Sequence, residues 1–304
     1  MVMLLILGCS TMDTPPPPAD QTKRSDEPIQ LWFGGDLHVS TARKERLDKV
    51  IEVVPGGIGF INLEGPVGIG PSTKRVDGKW VLRNTHSLPM ALKDWKIGAV
   101  STANNHRLDA GEEGVAQTLA QLERSAIMVA TPTRTARLEI GNKRISMMAA
   151  DLSLLPVTEA FVERLESERA LSDILIVSYH TGEDTNLPSP HLETGISEAV
   201  NANTDIVVAH GSHRLGPVRR MGKSIVASGL GNLLFDCDCT HQSEAMVLQI
   251  TIDANGEISP MILPITAGLK GGNAQPATED GGILNFIEAL GDTPITRIGW
   301  KGSF

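Results

Sequence analysis

Five short apolar runs in this chain each end in side chains that ligate metals or carry protons. Ile29-Gln-Leu-Trp-Phe-Gly-Gly runs into Asp36 and His38, and Ile58-Gly-Phe-Ile runs into Asn62 and Glu64. Ile97-Gly-Ala-Val-Ser-Thr-Ala runs into Asn104, Asn105, His106 and Asp109. Ile174-Leu-Ile-Val-Ser-Tyr leads to His180 and Glu183, and Asp205-Ile-Val-Val-Ala leads to His210 and His213. Such runs read as strands. In open α/β sheets the carboxyl ends of the strands form the crevice where ligands bind. Five of the eight histidines fall in these motifs, so their placement is not scatter. Imidazole and carboxylate together suit borderline cations such as manganese, iron or zinc. A carboxylate has two oxygens and can bridge two ions. Two ions can activate a water and stabilise charge on a phosphate in transfer.

The rest of the chain alternates apolar runs with amphipathic segments, the signature of an α/β architecture. The pattern predicts strands over 29–34, 57–62, 97–102, 143–149, 173–179, 204–209 and 223–228, and helices over 43–54, 88–95, 112–125, 158–170 and 192–202. After Gly111, Val115, Leu119 and Leu122 share one helical face. Runs over 245–252 and 257–265, joined by Asp253-Ala-Asn-Gly256, predict a β-hairpin. Aromatics make up only 4 %, so Val, Ile, Leu, Ala and Met must build the core. The net charge of -9 excludes the basic footprint of a nucleic-acid binder.

The N-terminus reads differently from the body. Met1 to Leu7 is apolar and ends at Gly8-Cys9, which resembles a bacterial lipoprotein signal with Cys9 as the lipidated residue. That resemblance implies a chain held by acyl groups on the outer side of a membrane in the bacterial cell envelope. Residues 10–28 contain Pro15-Pro-Pro-Pro18 and mixed charges and read as a linker, leaving 29–304 as one body. Cys237 and Cys239 are separated by one residue, a spacing that strains a bridge, and are expected to be free thiols in a loop.

Three further motifs narrow the family. Asn62-Leu-Glu-Gly-Pro66, Ala103-Asn-Asn-His106 with Asp109-x-Gly111, and Gly229-Leu-Gly-Asn232 with Phe235-Asp236 resemble the CapA capsule-synthesis proteins, also called PgsA or poly-γ-glutamate synthesis proteins. The resemblance implies a fold similar to the calcineurin-like metallophosphoesterases, a four-layer αββα sandwich in a single domain with an N-terminal tether. It implies two divalent metal ions: Asp36, His38 and His213 on the first, Asn105, His180 and His210 on the second, and Glu64 as the bridge. Glu64 stands where such phosphoesterases usually have Asp. The resemblance also gives His106 the role of general acid and Asp109 that of its orienting partner. Where the family usually has Trp after the fourth-motif His, this chain has Thr181, and the last His run is Ala209-His-Gly-Ser-His213. Both departures keep the donors and change the cleft wall.

Read from the residues alone, some roles stay open. His106 is either an acid or a hydrogen-bond partner behind the site. Arg83 is either a substrate clamp for phosphate or carboxylate, or half of a surface ion pair. Glu183 either contacts substrate or sits in a surface loop. Gly229, Gly231 and Asn232 are expected to shape a turn beneath the site. The resemblance implies capsular polymer or a phosphoester as substrate, and a membrane-bound synthesis complex as partner. A metal-dependent hydrolase is one reading. A non-catalytic surface lipoprotein that binds polymer or scaffolds capsule assembly is the other.

Overall fold

The computed structural model describes residues 27–304, apart from 55, 69, 279, 280 and 292. The lipoprotein-type signal over 1–9, with Cys9, and nearly all of the 10–28 linker lie outside the described residues. Two mixed sheets carry the α/β fold, with helices packed against them. The larger has eleven strands. Its central strand, Ile29–His38, pairs parallel with Ile58–Leu63 and Asn232–Phe235, and antiparallel with Glu244–Ile252. Ile58–Leu63 in turn pairs parallel with Ile97–Ser101. The smaller sheet has six strands. Its parallel core is Lys143–Asp151, Ile174–His180, Ile206–His210 and Ser224–Ala227.

Side-chain alternation sorts the apolar residues into separate cores, because successive strand residues face opposite sides. Ile145, Met147, Ile174 and Ile176 of the smaller sheet pack in one cluster with Leu31, Phe33, Phe60 and Ala99 of the larger. The intervening Met148, Leu175 and Val177 pack with Phe161 and Leu165 of helix Glu159–Leu171 and with Leu192 and Ile196 of helix Pro190–Asn201. Trp32, Ile61 and Val100 pack with Val50 of helix Asp48–Val53, Leu92 of helix Leu88–Asp94 and Leu122 of helix Gly111–Arg124. Every strand predicted from the apolar runs is present. Buried on both faces, a strand such as Ile174–His180 has no polar side to interrupt its run.

The differences are local. The helix expected over 43–54 splits into a 3-10 turn, Lys44–Arg46, and helix Asp48–Val53. The break falls where Arg46 turns inward. Its Nη2 donates to Asp236 Oδ1 at 2.7 Å and its Nη1 to Oδ2 at 2.9 Å, with the guanidinium fully buried. The same head donates to the carbonyls of Thr41, Gly268 and Gly272. Asp236 also accepts from the Ser40 and Gly271 amides. The pair thereby ties the loop after the central strand to the loop after Asn232–Phe235. Asn232, expected in a turn, begins that strand. Beyond residue 265, helix Gly282–Leu290 adds Ile283, Leu284 and Ile287 to the core between the sheets. Cys237 and Cys239 are joined in a disulfide, against the expectation of free thiols. Their Cα atoms are 5.2 Å apart, within the range that a bridge spans, so one intervening residue suffices.

Burial opposes ionisation of Asp236, but the hydrogen bonds and charge of Arg46 hold its carboxyl below the ordinary 3.8. A carboxyl with a depressed folded-state pKa stabilises the fold above its unfolded value. That contribution is lost as pH falls through the folded value. Arg46→Met strands a buried carboxylate and should cost about 3–5 kcal/mol in a urea titration at pH 7. Asp236→Asn should flatten the acid limb of stability below pH 3.8. An Arg46→Met midpoint equal to wild type would refute this role.

Candidate metal centre

The parallel register delivers the donors together. Asp36 lies level with Asn62 on one side and Asn232 on the other. His180 lies level with His210 in the smaller sheet. Two close backbone approaches bring these ends into contact. At Gly35 a Cβ would sit 1.9 Å from the Gly231 carbonyl, and that carbonyl accepts the Asp36 amide at 3.0 Å. Gly211 has φ +86, and a Cβ there would meet the Thr181 carbonyl at 2.1 Å and His180 Cε1 at 2.5 Å. Its amide donates to Asp36 Oδ2 at 3.0 Å.

Asp36, Glu64 and His213 each offer a ligand atom, and these atoms lie within 4.8 Å of one another. His213 Nδ1 donates to Asn232 Oδ1 at 2.9 Å and lies 3.3 Å from Asp36 Oδ2, while its Nε2 is 4.0 Å from Glu64 Oε1. His213 adopts a left-handed backbone, φ 56, which a non-glycine residue holds only against a cost. His210 Nδ1 is 3.8 Å from Asp36 Oδ1. Asn62 Nδ2 donates one proton to Asp36 Oδ1 at 2.8 Å and faces His180 Nδ1 at 3.3 Å. His180 Nε2 then donates to Asn105 Oδ1 at 3.1 Å. His106 Nε2 faces Glu64 Oε1 at 3.7 Å, and its Nδ1 donates to Asp109 Oδ2 at 2.7 Å. The Leu82 amide holds that same Asp109 oxygen.

The structure therefore brings Asp36, Glu64, Asn105, His106, Asp109, His180, His210 and His213 into one connected set. His38 stands apart from the three-residue cluster. Its Nε2 is 2.9 Å from Ser72 Oγ and 3.2 Å from the Arg83 carbonyl, and its ring packs on Phe235. Arg83 lines a separate cavity of about 500 Å³ with His86, Gln117 and Gln121. Glu183 is exposed in a loop. A cleft of about 480 Å³ opens on Glu64, Asn105, His106, Asp109 and His213, and is completed by Arg75, Lys79, Trp80 and Cys239. A larger cavity of about 630 Å³, lined by Arg220, Lys223 and Phe304 among others, contains none of the donors.

Electrostatics divide the set. Burial would raise the Asp36 carboxyl, but the hydrogen bond and charge of His213, with His210 and His180, hold it well below the usual carboxylate range. Burial pushes Glu64 up to about 7. Burial pulls His38, His180 and His210 down to about 4, so their rings are neutral at pH 7. Burial opposes the charged form of His213, yet the charge of Glu64 and the contacts to Asp36 raise it to about 9. His106 is likewise lowered by burial but raised more by Asp109 and Glu64, and lies above its ordinary 6.5. Among the described residues, Glu64 Oε2, His38 Nδ1 and His210 Nδ1 are buried without a hydrogen-bond partner. Oxygen and imidazole donors with unspent lone pairs fit a divalent cation.

Sequence reasoning missed several supports. Asn84 donates to the carbonyls of Glu64 and Gly65 and accepts the Val39 amide, and so fixes the bend that aims Glu64. Asn104 bonds Asn62 and the Leu63 carbonyl. Asn232 holds His213 directly. The Asn-rich strand ends carry a signal for Asn62 and Asn104; Asn84 follows no run.

A family model described as bacterial capsule synthesis protein PGA_cap matches residues 42–151 and 129–237, well over half of the chain. The chain belongs to that capsule-synthesis family. It is 22 % identical over 277 residues to the PGA biosynthesis protein CapA of Bacillus subtilis, covering 78 % of this chain and 72 % of that one. It is 23 % identical over 214 residues to the capsule biosynthesis protein CapA of Bacillus anthracis, covering 62 % of this chain and 52 % of that one. A crystal structure of a hypothetical protein from Thermus thermophilus aligns with TM-score 0.52 at 15 % identity, over 78 % of this chain and 99 % of that one. That likeness is one of fold. No helix among the described residues is long and apolar enough to cross a membrane.

Gly211 and Gly256 share a positive φ, +86 and +85, but only Gly211 has neighbours where a Cβ would go. Gly256→Ala should cost about 1 kcal/mol in stability and leave manganese affinity unchanged. Gly211→Ala should cost more and weaken manganese uptake, read by calorimetric titration. Equal manganese affinity in the two variants would show that the close approach does not position the donors.

Proposed function

We propose that this PGA_cap-family chain is a metal-dependent hydrolase of the phosphoesterase type that serves the synthesis of capsular polymer, in the line of poly-γ-glutamate. The observation that carries the reading is the meeting of Asp36, Glu64 and His213 within 4.8 Å, with the His106–Asp109 pair facing Glu64. The two sheets with helices on their outer faces fit a four-layer αββα metallophosphoesterase-like arrangement. In this reading Asp36, His38 and His213 would hold one ion, and Asn105, His180 and His210 would hold another. Glu64, with two carboxylate oxygens, would serve both. His180 would meet the ion through Nε2, the ring nitrogen that faces Asn105 Oδ1 at 3.1 Å.

Divalent cations, when bound, supply Lewis-acid charge to an esterified phosphate and make water nucleophilic near neutral pH. The protein supplies the rest. Asp109 fixes His106 with Nδ1–H toward the carboxylate and Nε2 toward the cleft. Asp109 and Glu64 favour the protonated form of His106, which can then give its Nε2 proton to a leaving oxygen. The buried walls at Asp36 and Glu64 keep water away from the donors except through the cleft. Cys9 as a lipid anchor, residues 10–28 as a tether and 29–304 as the catalytic body complete the reading. So anchored, the protein would work on the outer side of a membrane, beside a synthesis complex.

The test begins with metal analysis of the purified full chain after exposure to manganese, iron or zinc. Retention of at least one is expected, and uptake of none overturns the proposal. His106→Ala should keep its metal and lose about 10²–10⁴-fold in kcat on a phosphodiester screen. Undiminished turnover would remove His106 as the acid.

Because His106 acts as an acid with a pKa above 6.5, kcat/KM should fall as pH rises through that value. Asp109→Asn removes the carboxylate that raises it, so the descending limb should move to lower pH. A limb that stays in place would assign the ionisation to another group. Deletion of the gene with surface polymer unchanged would separate the chemistry from the capsule.

A further inference from the structure

One wall of the cleft is a hairpin that lies outside the family motifs. Strand Thr73–Lys74 pairs antiparallel with Trp80–Val81, and the connection runs Arg75-Val-Asp-Gly-Lys79. Arg75, Lys79 and Trp80 line the cleft together with Glu64, His106 and His213. Lys74 Nζ lies 5.8 Å from the centre of the Trp80 ring. Three cations and one acid in six residues is an unusual local balance for a chain of net charge -9.

These cations are largely unspent. Asp77 reaches Arg75 Nε at 3.6 Å, but the two side chains are 44 % and 63 % exposed, where water screens the pair. Asp238, in the disulfide loop, is committed to Lys270. Among the described residues no carboxylate pairs with Lys79. Deeper in the cleft, Asp109 is held by His106, and Glu64 Oε1 faces His106 and His213 at 3.7 and 4.0 Å. A guanidinium and an ammonium therefore stand at the rim of the cleft beside Trp80, free to meet an anion from solvent.

We infer that this hairpin is the substrate-discriminating wall: Arg75 and Lys79 receive a second anionic group, a carboxylate or phosphate, carried by the substrate next to the hydrolysed bond. The inference rests on the metal-dependent hydrolase reading and deepens it. Arg75 supplies a planar fork matched to either anion, and Lys79 a mobile point charge. A substrate bearing one anion would use the donor cluster alone. A substrate bearing two would span the cluster and the hairpin.

The experiment measures binding rather than turnover. The manganese-loaded full chain is titrated calorimetrically with phenylphosphonate, 4-carboxyphenylphosphonate and 1,4-phenylenediphosphonate. Wild type should bind at least one of the doubly anionic probes about three- to tenfold more tightly than phenylphosphonate. The third probe tells a phosphate preference from a carboxylate one. The preference should shrink as salt rises. Arg75→Gln with Lys79→Gln should abolish it and leave phenylphosphonate affinity unchanged, whereas Arg75→Lys should retain most of it. Equal binding of all three probes by wild type, or a preference that survives in the double variant, overturns the hairpin's role alone. If no phosphonate binds wild type, the hydrolase reading falls and takes this inference with it.

Discussion

A carboxylate at Asp36, 1 % exposed, sets the terms for the rest of the molecule. Burying an ionised group costs several kcal/mol unless its oxygens are fully engaged. Here the partners come from two distant stretches of chain: Asn62 on the neighbouring strand, and a left-handed turn that supplies both the Gly211 amide and His213. Each has a precondition. Asn62 requires parallel pairing of the first two strands in one register. Gly211 requires that the two sheets meet at these ends. His213 requires a left-handed backbone that Asn232 helps to hold. Shift the register by one residue and Asp36 would turn to the opposite face with none of these.

Around that charge the side chains are in tension. Asp36 is kept ionised while Glu64, a short distance away, is driven up to about 7. His213 is drawn up to about 9 between them, and His180 and His210 are driven down to about 4. Such opposed shifts among neighbouring groups are typical of sites arranged for chemistry rather than for stability. The supporting shell is made of asparagines. Each of these side chains can donate and accept at once: Asn62 holds Asp36 and accepts from Asn104, Asn84 joins three backbone groups, Asn104 bonds the Leu63 carbonyl and the His106 amide, and Asn232 holds His213 and the Gln242 carbonyl. The Arg46–Asp236 pair does comparable work outside the cluster, joining loops whose strands flank Asp36.

Much of this is legible in the sequence. The central parallel strands show as unbroken apolar runs, and the polar residues at their ends are those the fold draws together. What escapes has physical reasons. The hairpin at 73–81 has two residues per strand, too few to leave a periodic trace. Arg46 and Asp236 are 190 residues apart, and neither sits in a pattern that announces a partner. Asn232 reads as turn punctuation between glycines and an apolar run, yet it opens a strand. Spacing alone argues against the Cys237–Cys239 bridge, although loop geometry brings the Cα atoms to 5.2 Å. Arg83 draws attention for its charge, whereas its carbonyl touches His38 and its side chain faces another cavity.

The central strand has neighbours drawn from residues 58–63, 232–235 and 248–252. Its assembly therefore waits on chain made more than two hundred residues later. A nascent chain that has reached residue 151 holds Asp36, Glu64 and Asn105 but none of His180, His210 or His213. No N-terminal fragment that ends before His213 contains the full set of these side chains. Non-local pairing of this kind is slow to form. The order of synthesis itself postpones the meeting of these side chains until His213 and the late strands beside Asp36 have been made.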